Sequence, residues 1–227
     1  MLCFIFPLIP LSADSFRDRF HWSFSGSIFY FAADNGVDSD PAPILPNLGF
    51  SAALQIWGPL RVELTEDIYF TNYEWNLARG YPMACNPENR SAFVLGFLTG
   101  IQLAAVFPIG GNGIAVRVYG GPAADLRVVT MAFGLNHPMD HTGDIETRDP
   151  GKETEAIRKY FWGKGRWFMP VFGVGMDFPV SERFLLGFDL RTWFPMYKLW
   201  TDDNTPDIDG WRFGAGFRIT PRPRNTG

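Results

Sequence analysis

Charged side chains recur at alternate positions along the chain, within segments that are otherwise apolar. Asp189 and Arg191 lie two residues apart, as do Asp125 and Arg127. Alternate residues of a β-strand point to the same face, so the two opposite charges of each pair share a face. Buried together, such groups form ion pairs, and around an open pore they set ion preference. The candidate residues of this kind are Arg61, Glu63, Asp67, Arg117, Asp125, Arg127, Asp177, Asp189, Arg191, Arg212 and Arg218.

Two other groups of residues have side chains that can take part in catalysis or metal binding. His21, with Ser23 or Ser25 on the same strand, is the one candidate for a serine–histidine arrangement. His137 and His141 flank Asp140 in a polar segment, but without the rigid spacing of a helix they predict a solvated loop rather than a metal site. We therefore predict no catalytic residue, no metal ligand and no cofactor, and a protein that is not an enzyme.

Eight segments alternate apolar and polar residues with a period of two, which predicts strands. In the clearest one, Phe184, Leu186, Phe188 and Leu190 share a face opposite Asp189 and Arg191. Each segment is near or above the roughly 9–11 residues of a tilted membrane strand. The eight predicted strands are 20–31, 48–57, 60–72, 91–107, 113–133, 167–178, 183–199 and 209–219.

The connections between these segments alternate in length. Long polar stretches at 32–47, 73–90 and 134–166 are separated by short turns such as Gly58-Pro59. An up-and-down barrel produces this order because one rim carries short turns and the other carries long loops. Within the longest stretch, residues 151–162 follow Asp-Pro and place a small apolar stripe at helical spacing, which predicts a short helix on the barrel rim.

The composition of the two faces favours a membrane barrel over a soluble one. The apolar faces are bulky and rich in Phe, whereas the opposite faces combine Gly and Ser with charges of both signs, as a narrow lumen requires. We predict a transmembrane, eight-stranded, antiparallel all-β barrel. The residues predicted to face lipid are Phe184, Leu186, Phe188, Leu190, Phe213 and Phe217.

Composition and chain ends complete the predicted organisation. The 227 residues carry a net charge of −4 and no extended basic cluster, which argues against a nucleic-acid partner. Residues 1–13 are uncharged and predict a truncated signal peptide. They are too short to span a bilayer as a helix, which needs roughly 20 apolar residues. We assign 14–219 to a single barrel domain and 220–227 to a polar tail.

The last strand carries a resemblance to a known family. Gly210-Trp-Arg-Phe-Gly-Ala-Gly-Phe-Arg-Ile219 resembles the closing strand of small bacterial outer-membrane barrels, among which the OmpW type is the most similar in size. The pattern departs from the family in ending on Ile219 and in the tail that follows. The resemblance implies recognition of strand 209–219 by the outer-membrane assembly machinery. It also implies a narrow channel for small, partly hydrophobic solutes.

The sequence is compatible with three functional hypotheses. The leading one is a porin-like channel in the outer membrane of a diderm bacterium, with the lipid bilayer and small solutes as partners. The second is a barrel that anchors its long loops for adhesion or host interaction. The third is a soluble, secreted, lipocalin-like barrel that carries an apolar ligand, in which the two faces of every strand would be exchanged.

Overall fold

A computed structural model describes residues 19–34, 44–76, 80–86, 90–131, 149–201 and 207–222. Within these ranges, ten strands form one sheet, and one α-helix packs at one end of it. The strands are β1 Phe20–Asp34, β2 Ile44–Trp57, β3 Leu60–Asn76, β4 Tyr81–Ala84, β5 Ala92–Ile109, β6 Ile114–Gly121, β7 Ala123–Met131, β8 Val171–Pro179, β9 Phe184–Trp193 and β10 Asp207–Pro221. The helix, α1, spans Pro150–Trp162.

The sheet closes on itself into an antiparallel, up-and-down barrel. β1 pairs with β2 on one side and with β10 on the other, where Phe24 lies opposite Ile219. β6 and β7 both pair with β5 and form a single barrel strand that is interrupted at Pro122. A proline lacks the N–H that a ladder needs, so the interruption falls where the sequence requires it. The ring therefore has eight strand positions, which confirms the predicted fold class.

The eight predicted strands are all present, with small shifts at their ends. The strand predicted over 183–199 was too long, because β9 ends at Trp193 and Met196–Leu199 forms a 3-10 turn after Pro195. The strand predicted from 167 begins regular pairing at Val171, preceded by a single bridge between Ala124 and Phe168.

One strand was not predicted. β4 pairs with the end of β3, placing Tyr81 opposite Asn76, in a segment that was predicted to be loop. All four residues of β4 are buried, so the segment has no alternation that could have revealed it.

The predicted helix is confirmed, and its start has a clear cause. Asp149 caps α1 by accepting hydrogen bonds from the backbone N–H groups of Gly151, at 3.0 Å, and Lys152, at 3.2 Å. These N–H donors, Lys152 first, hold the pKa of the Asp149 carboxyl below its ordinary value. Among the described residues, no helix is long and apolar enough to cross a membrane.

The two ends of the barrel differ. The short-turn end carries Gly58-Pro59, residues 110–113 and residues 180–183, and β1 begins there. The long-loop end carries the remaining connections and α1.

Glycines inside the barrel make room for large side chains on neighbouring strands. A Cβ at Gly96 would overlap the ring of Tyr69, and one at Gly173 would overlap the ring of Tyr119. Each glycine lies directly opposite that tyrosine in the strand register. At these positions a large side chain on one strand fills the space left by a glycine on the neighbouring strand.

This packing predicts the effect of adding a methyl group at Gly96. Gly96→Ala should lower the free energy of unfolding by about 1–3 kcal/mol, because the Tyr69 ring has to move within a filled interior. Gly26→Ala is the matched control, since nothing lies within 4 Å of a Cβ built there. Urea unfolding in detergent, followed by the heat-modifiable gel mobility of the barrel, measures both. Equal stability of the two variants would contradict a tightly filled lumen.

Candidate functional site

The lumen holds the charged residues that the sequence analysis singled out. Strand alternation turns all of them inward, and nine of the eleven are buried. Arg61 and Arg191 are half-buried. The lumen is the candidate functional site because it concentrates charged groups, which are costly to bury unless they are paired and hydrogen-bonded.

The layer nearest the short-turn end is a network of ion pairs. Arg117 pairs with Glu63 on β3 and with Asp189 on β9, the latter at 2.5 Å. Arg218 on β10 pairs with Asp177 on β8 at 2.6 Å, and its Nε lies 3.8 Å from Asp189. One network thus joins five barrel strands across the lumen.

The middle layer centres on a two-pronged pair between Arg191 and Asp67. The two Arg191 nitrogens donate to the two carboxylate oxygens at 2.6 and 3.0 Å, and Arg191 also donates to Ser27 at 3.0 Å. Asn47 donates to Asp67 at 3.4 Å and accepts from Ser27. Neither residue was predicted as a site residue: Ser27 lies on the predicted polar face of the first strand, whereas Asn47 falls in the predicted loop 32–47, and β2 in fact begins at Ile44.

Asp189 and Arg191 thus take partners on other strands. Residues that face each other across a narrow lumen approach within bonding distance, and on β9 both side chains reach across it, whereas Asp125 and Arg127 on β7 pair with each other. The spacing on β9 therefore indicated a shared face, and the partners came from β3, β6 and β10. A role of these charges in a constriction stays a prediction.

The layer towards the long-loop end combines charge with aromatic rings. Asp125 pairs with Arg127 and, at 2.6 Å, with Arg212, and it accepts a hydrogen bond from the Tyr69 hydroxyl at 2.7 Å. The Arg212 guanidinium lies 4.3 Å from the centre of the Phe31 ring. An apolar layer adjoins this cluster and fills the cross-section with Phe29, Phe31, Tyr69, Leu98, Ala123, Met169, Val171 and Trp193.

Helix α1 covers part of the long-loop mouth. Its buried residues Ile157 and Phe161 pack with Tyr73 and Val94 of the barrel wall and with β4. The Arg127 guanidinium stacks 4.1 Å from the centre of the Phe161 ring, which links the helix to the charged layer beneath it. The apolar stripe predicted for this helix thus packs into the long-loop mouth of the barrel, and β4 completes the apolar cluster there.

Two spaces lie within the described part of the lumen. A cavity of about 220 Å³ lies at the short-turn end, beside His21 and Arg61. A second space of about 20 Å³ lies beside Asp67 and Arg117. A space of that size holds one water at most.

The histidine and serine candidates for catalysis or metal binding lie in two different parts of the chain. His21 and Ser23 both line the cavity at the short-turn end, and the Ser23 hydroxyl shares a hydrogen bond of 2.6 Å with that of Ser51. His137 and His141 lie outside the described residues. Within the described ranges, no group of three or more His, Cys, Asp or Glu residues is arranged to hold a metal ion.

The barrel exterior is apolar. Of the six residues predicted to face lipid, Phe184, Phe188, Leu190, Phe213 and Phe217 are exposed and Leu186 is half-exposed. They belong to a belt of large apolar side chains that surrounds the barrel and far exceeds the apolar patches of a soluble monomer. Lipid is the solvent that such a surface requires.

A closed barrel with a polar, filled interior and an apolar exterior defines a membrane-spanning β-barrel. Even-stranded, up-and-down barrels of this kind belong to bacterial outer membranes, and that location follows for this chain.

Comparisons with known proteins yield weak structural similarities. Neisserial surface protein A matches at 12% identity with a TM-score of 0.47, covering 90% of this chain and 97% of that one. The N-terminal β-barrel domain of Pseudomonas aeruginosa OprF matches at 12% identity with a TM-score of 0.40, covering 88% and 96%. Ail of Yersinia pestis matches at 6% identity with a TM-score of 0.43, covering 90% and 97%. These values are too low to carry a functional assignment.

No protein-family model and no curated protein matches the chain. Membership of the OmpW type therefore stays a prediction.

The charged layers predict a large loss of stability when one central carboxylate is removed. Asp125→Ala leaves Arg127 and Arg212 buried without their shared partner, and breaking a buried pair in this way costs about 3–5 kcal/mol. The control, Glu155→Ala, removes an exposed helix pair with Lys159 and should leave unfolding unchanged. Urea unfolding in detergent measures both. A small effect of Asp125→Ala would show that water reaches this layer.

Proposed function

We propose that this chain is an outer-membrane β-barrel of a diderm bacterium whose lumen is sealed and whose long-loop end serves as a binding surface. The observation that carries the proposal is the filling of the lumen by three ion-pair layers and an aromatic layer. Assembly through strand 209–219 by the outer-membrane machinery belongs to the same proposal, and no enzymatic step does.

The number of strands in the ring limits the space inside the barrel. An eight-stranded barrel has an interior just wide enough for side chains, so residues as large as Arg212, Tyr69 and Trp193 leave no continuous water path where they are buried together. A barrel sealed in this way is a rigid support. Binding residues are often carried by loops on a rigid scaffold, and the connections at the long-loop end include 35–43 between β1 and β2 and 132–149 between β7 and α1.

A narrow channel for small solutes is the second candidate. The cavity of about 220 Å³ at the short-turn end supports it, since a pore would need such an entrance. The half-buried Arg191 could then act as a charged gate, because rings of charge set ion preference. A soluble, ligand-carrying barrel is not favoured, because its apolar faces would have to point inward, whereas here they point outward.

The sealed lumen predicts an absence of conductance. Refolded protein in a planar bilayer should give no current steps, because the ion pairs close the cross-section. The double variant Arg191→Ala with Asp67→Ala removes a whole pair, avoids an unpaired buried charge and should introduce measurable ion leak. Glu155→Ala with Lys159→Ala is the matched control, because it removes an exposed pair from α1.

Regular current steps from the wild-type barrel would contradict the sealed lumen and favour the channel. Heat-modifiable gel mobility has to verify that each sample is folded before its conductance is compared.

The binding role predicts a separate outcome at the long-loop end. Replacing residues 135–147 with a Gly/Ser stretch of equal length should lower the adherence of expressing cells to cultured epithelial cells, while membrane permeability stays unchanged. Glu182→Ala, an exposed change at the short-turn end, is the control. Unchanged adherence after replacement of both 135–147 and 35–43 would contradict the proposed surface role.

A further inference from the structure

The cavity at the short-turn end lies inside the barrel wall, between the beginning of β1, the beginning of β3 and the end of β10. Its volume is about 220 Å³. The residues that matter for its chemistry are His21, Ser23, Ser51, Arg61, Arg218 and Arg222.

The charges that line the cavity leave a positive excess. Its two carboxylates are already engaged, Glu63 with Arg117 and Asp177 with Arg218. Within the described ranges, Arg61 and Arg222 have no side-chain hydrogen bond and no ion pair, and both are half-buried. Glu63 and Asp177 act on the Arg61 guanidinium only from a distance, so an anion bound directly to it would offset more of the cost of its partial removal from water.

The cavity wall also contains neutral and charged hydrogen-bond donors that can contact a bound anion. Ser23 and Ser51 share one hydrogen bond of 2.6 Å, which leaves the hydrogen of one hydroxyl free to donate. Arg218 is 8% exposed, and its Nε makes no hydrogen bond but lies 3.8 Å from the Asp189 carboxylate. Arginine and serine donors around one space form the kind of site that holds a tetrahedral or planar oxyanion.

We propose that this cavity binds a small phosphate-class oxyanion, with Arg61 as its main charged contact and Ser23 or Ser51 as a neutral donor. Liquid water occupies about 30 Å³ per molecule, so the cavity has the volume of about seven waters. Sites for drug-sized ligands measure about 300–1,000 Å³, so this one fits a phosphoryl group with a short substituent at most.

Two sources share this chemistry. A free phosphate compound can enter from the aqueous side, which is the periplasm if the short turns face it as in other outer-membrane barrels. A phospholipid headgroup can also present its phosphate at the rim, where Trp22 lines the same cavity. The two sources are separated by measuring binding with and without phospholipid.

The test uses the full chain refolded in a maltoside detergent, which contains no phosphate. Isothermal titration with inorganic phosphate should show binding, and Arg61→Gln should weaken it about tenfold through loss of a charge-assisted contact. Arg222→Gln should also weaken it and serves as a second variant if Arg61→Gln misfolds. Arg183→Gln is the matched control, because Arg183 is exposed at the same end and outside the cavity.

A second titration uses the same proteins in phospholipid vesicles. Binding that persists there supports a free phosphate compound, and binding that is lost there but present in maltoside supports a headgroup. The proposal is overturned if the wild type binds phosphate in neither medium, or if Arg183→Gln weakens binding as much as Arg61→Gln. None of these outcomes depends on conductance or adherence, so the test is independent of the proposed function.

Discussion

Backbone pairing around the whole ring is the constraint on which the other features of this barrel depend. Hydrocarbon offers no partner to an unpaired N–H or C=O group, so a sheet that crosses a membrane has to close. Here β1 and β10 close it, with Phe24 opposite Ile219 and Phe31 opposite Arg212. The register at this seam matters because a slip of one residue would exchange the inward and outward faces of a strand.

Closure with eight strands leaves an interior that side chains must fill, and the filling is mostly ionic. Most of the pairs join strands that are not neighbours, as the pair between Arg191 of β9 and Asp67 of β3 does. Buried ion pairs often contribute little net stability compared with apolar packing, whereas a mispaired charge is costly. We therefore interpret the layers as devices that favour one register and one arrangement of the strands.

The sequence predicted the barrel well because alternation is a local signal. It reports which face a residue occupies, and for Asp189 and Arg191 the face was correct. It does not report which distant residue lies opposite, so Asp67 could not be identified as the partner of Arg191. β4 was missed because both of its faces are buried, and the packing of α1 into the mouth depends on side chains from strands far away in the chain.

The pairing of glycines with large residues bears on how such a lumen can change. Tyr69 and Gly96 share one volume across two strands, and Tyr119 and Gly173 share another. A larger residue at either glycine requires a smaller one opposite, and the reverse exchange leaves a void. Two facing positions inside this barrel therefore vary together as a pair. Related chains should conserve the summed side-chain volume of each pair more closely than the identity of either residue.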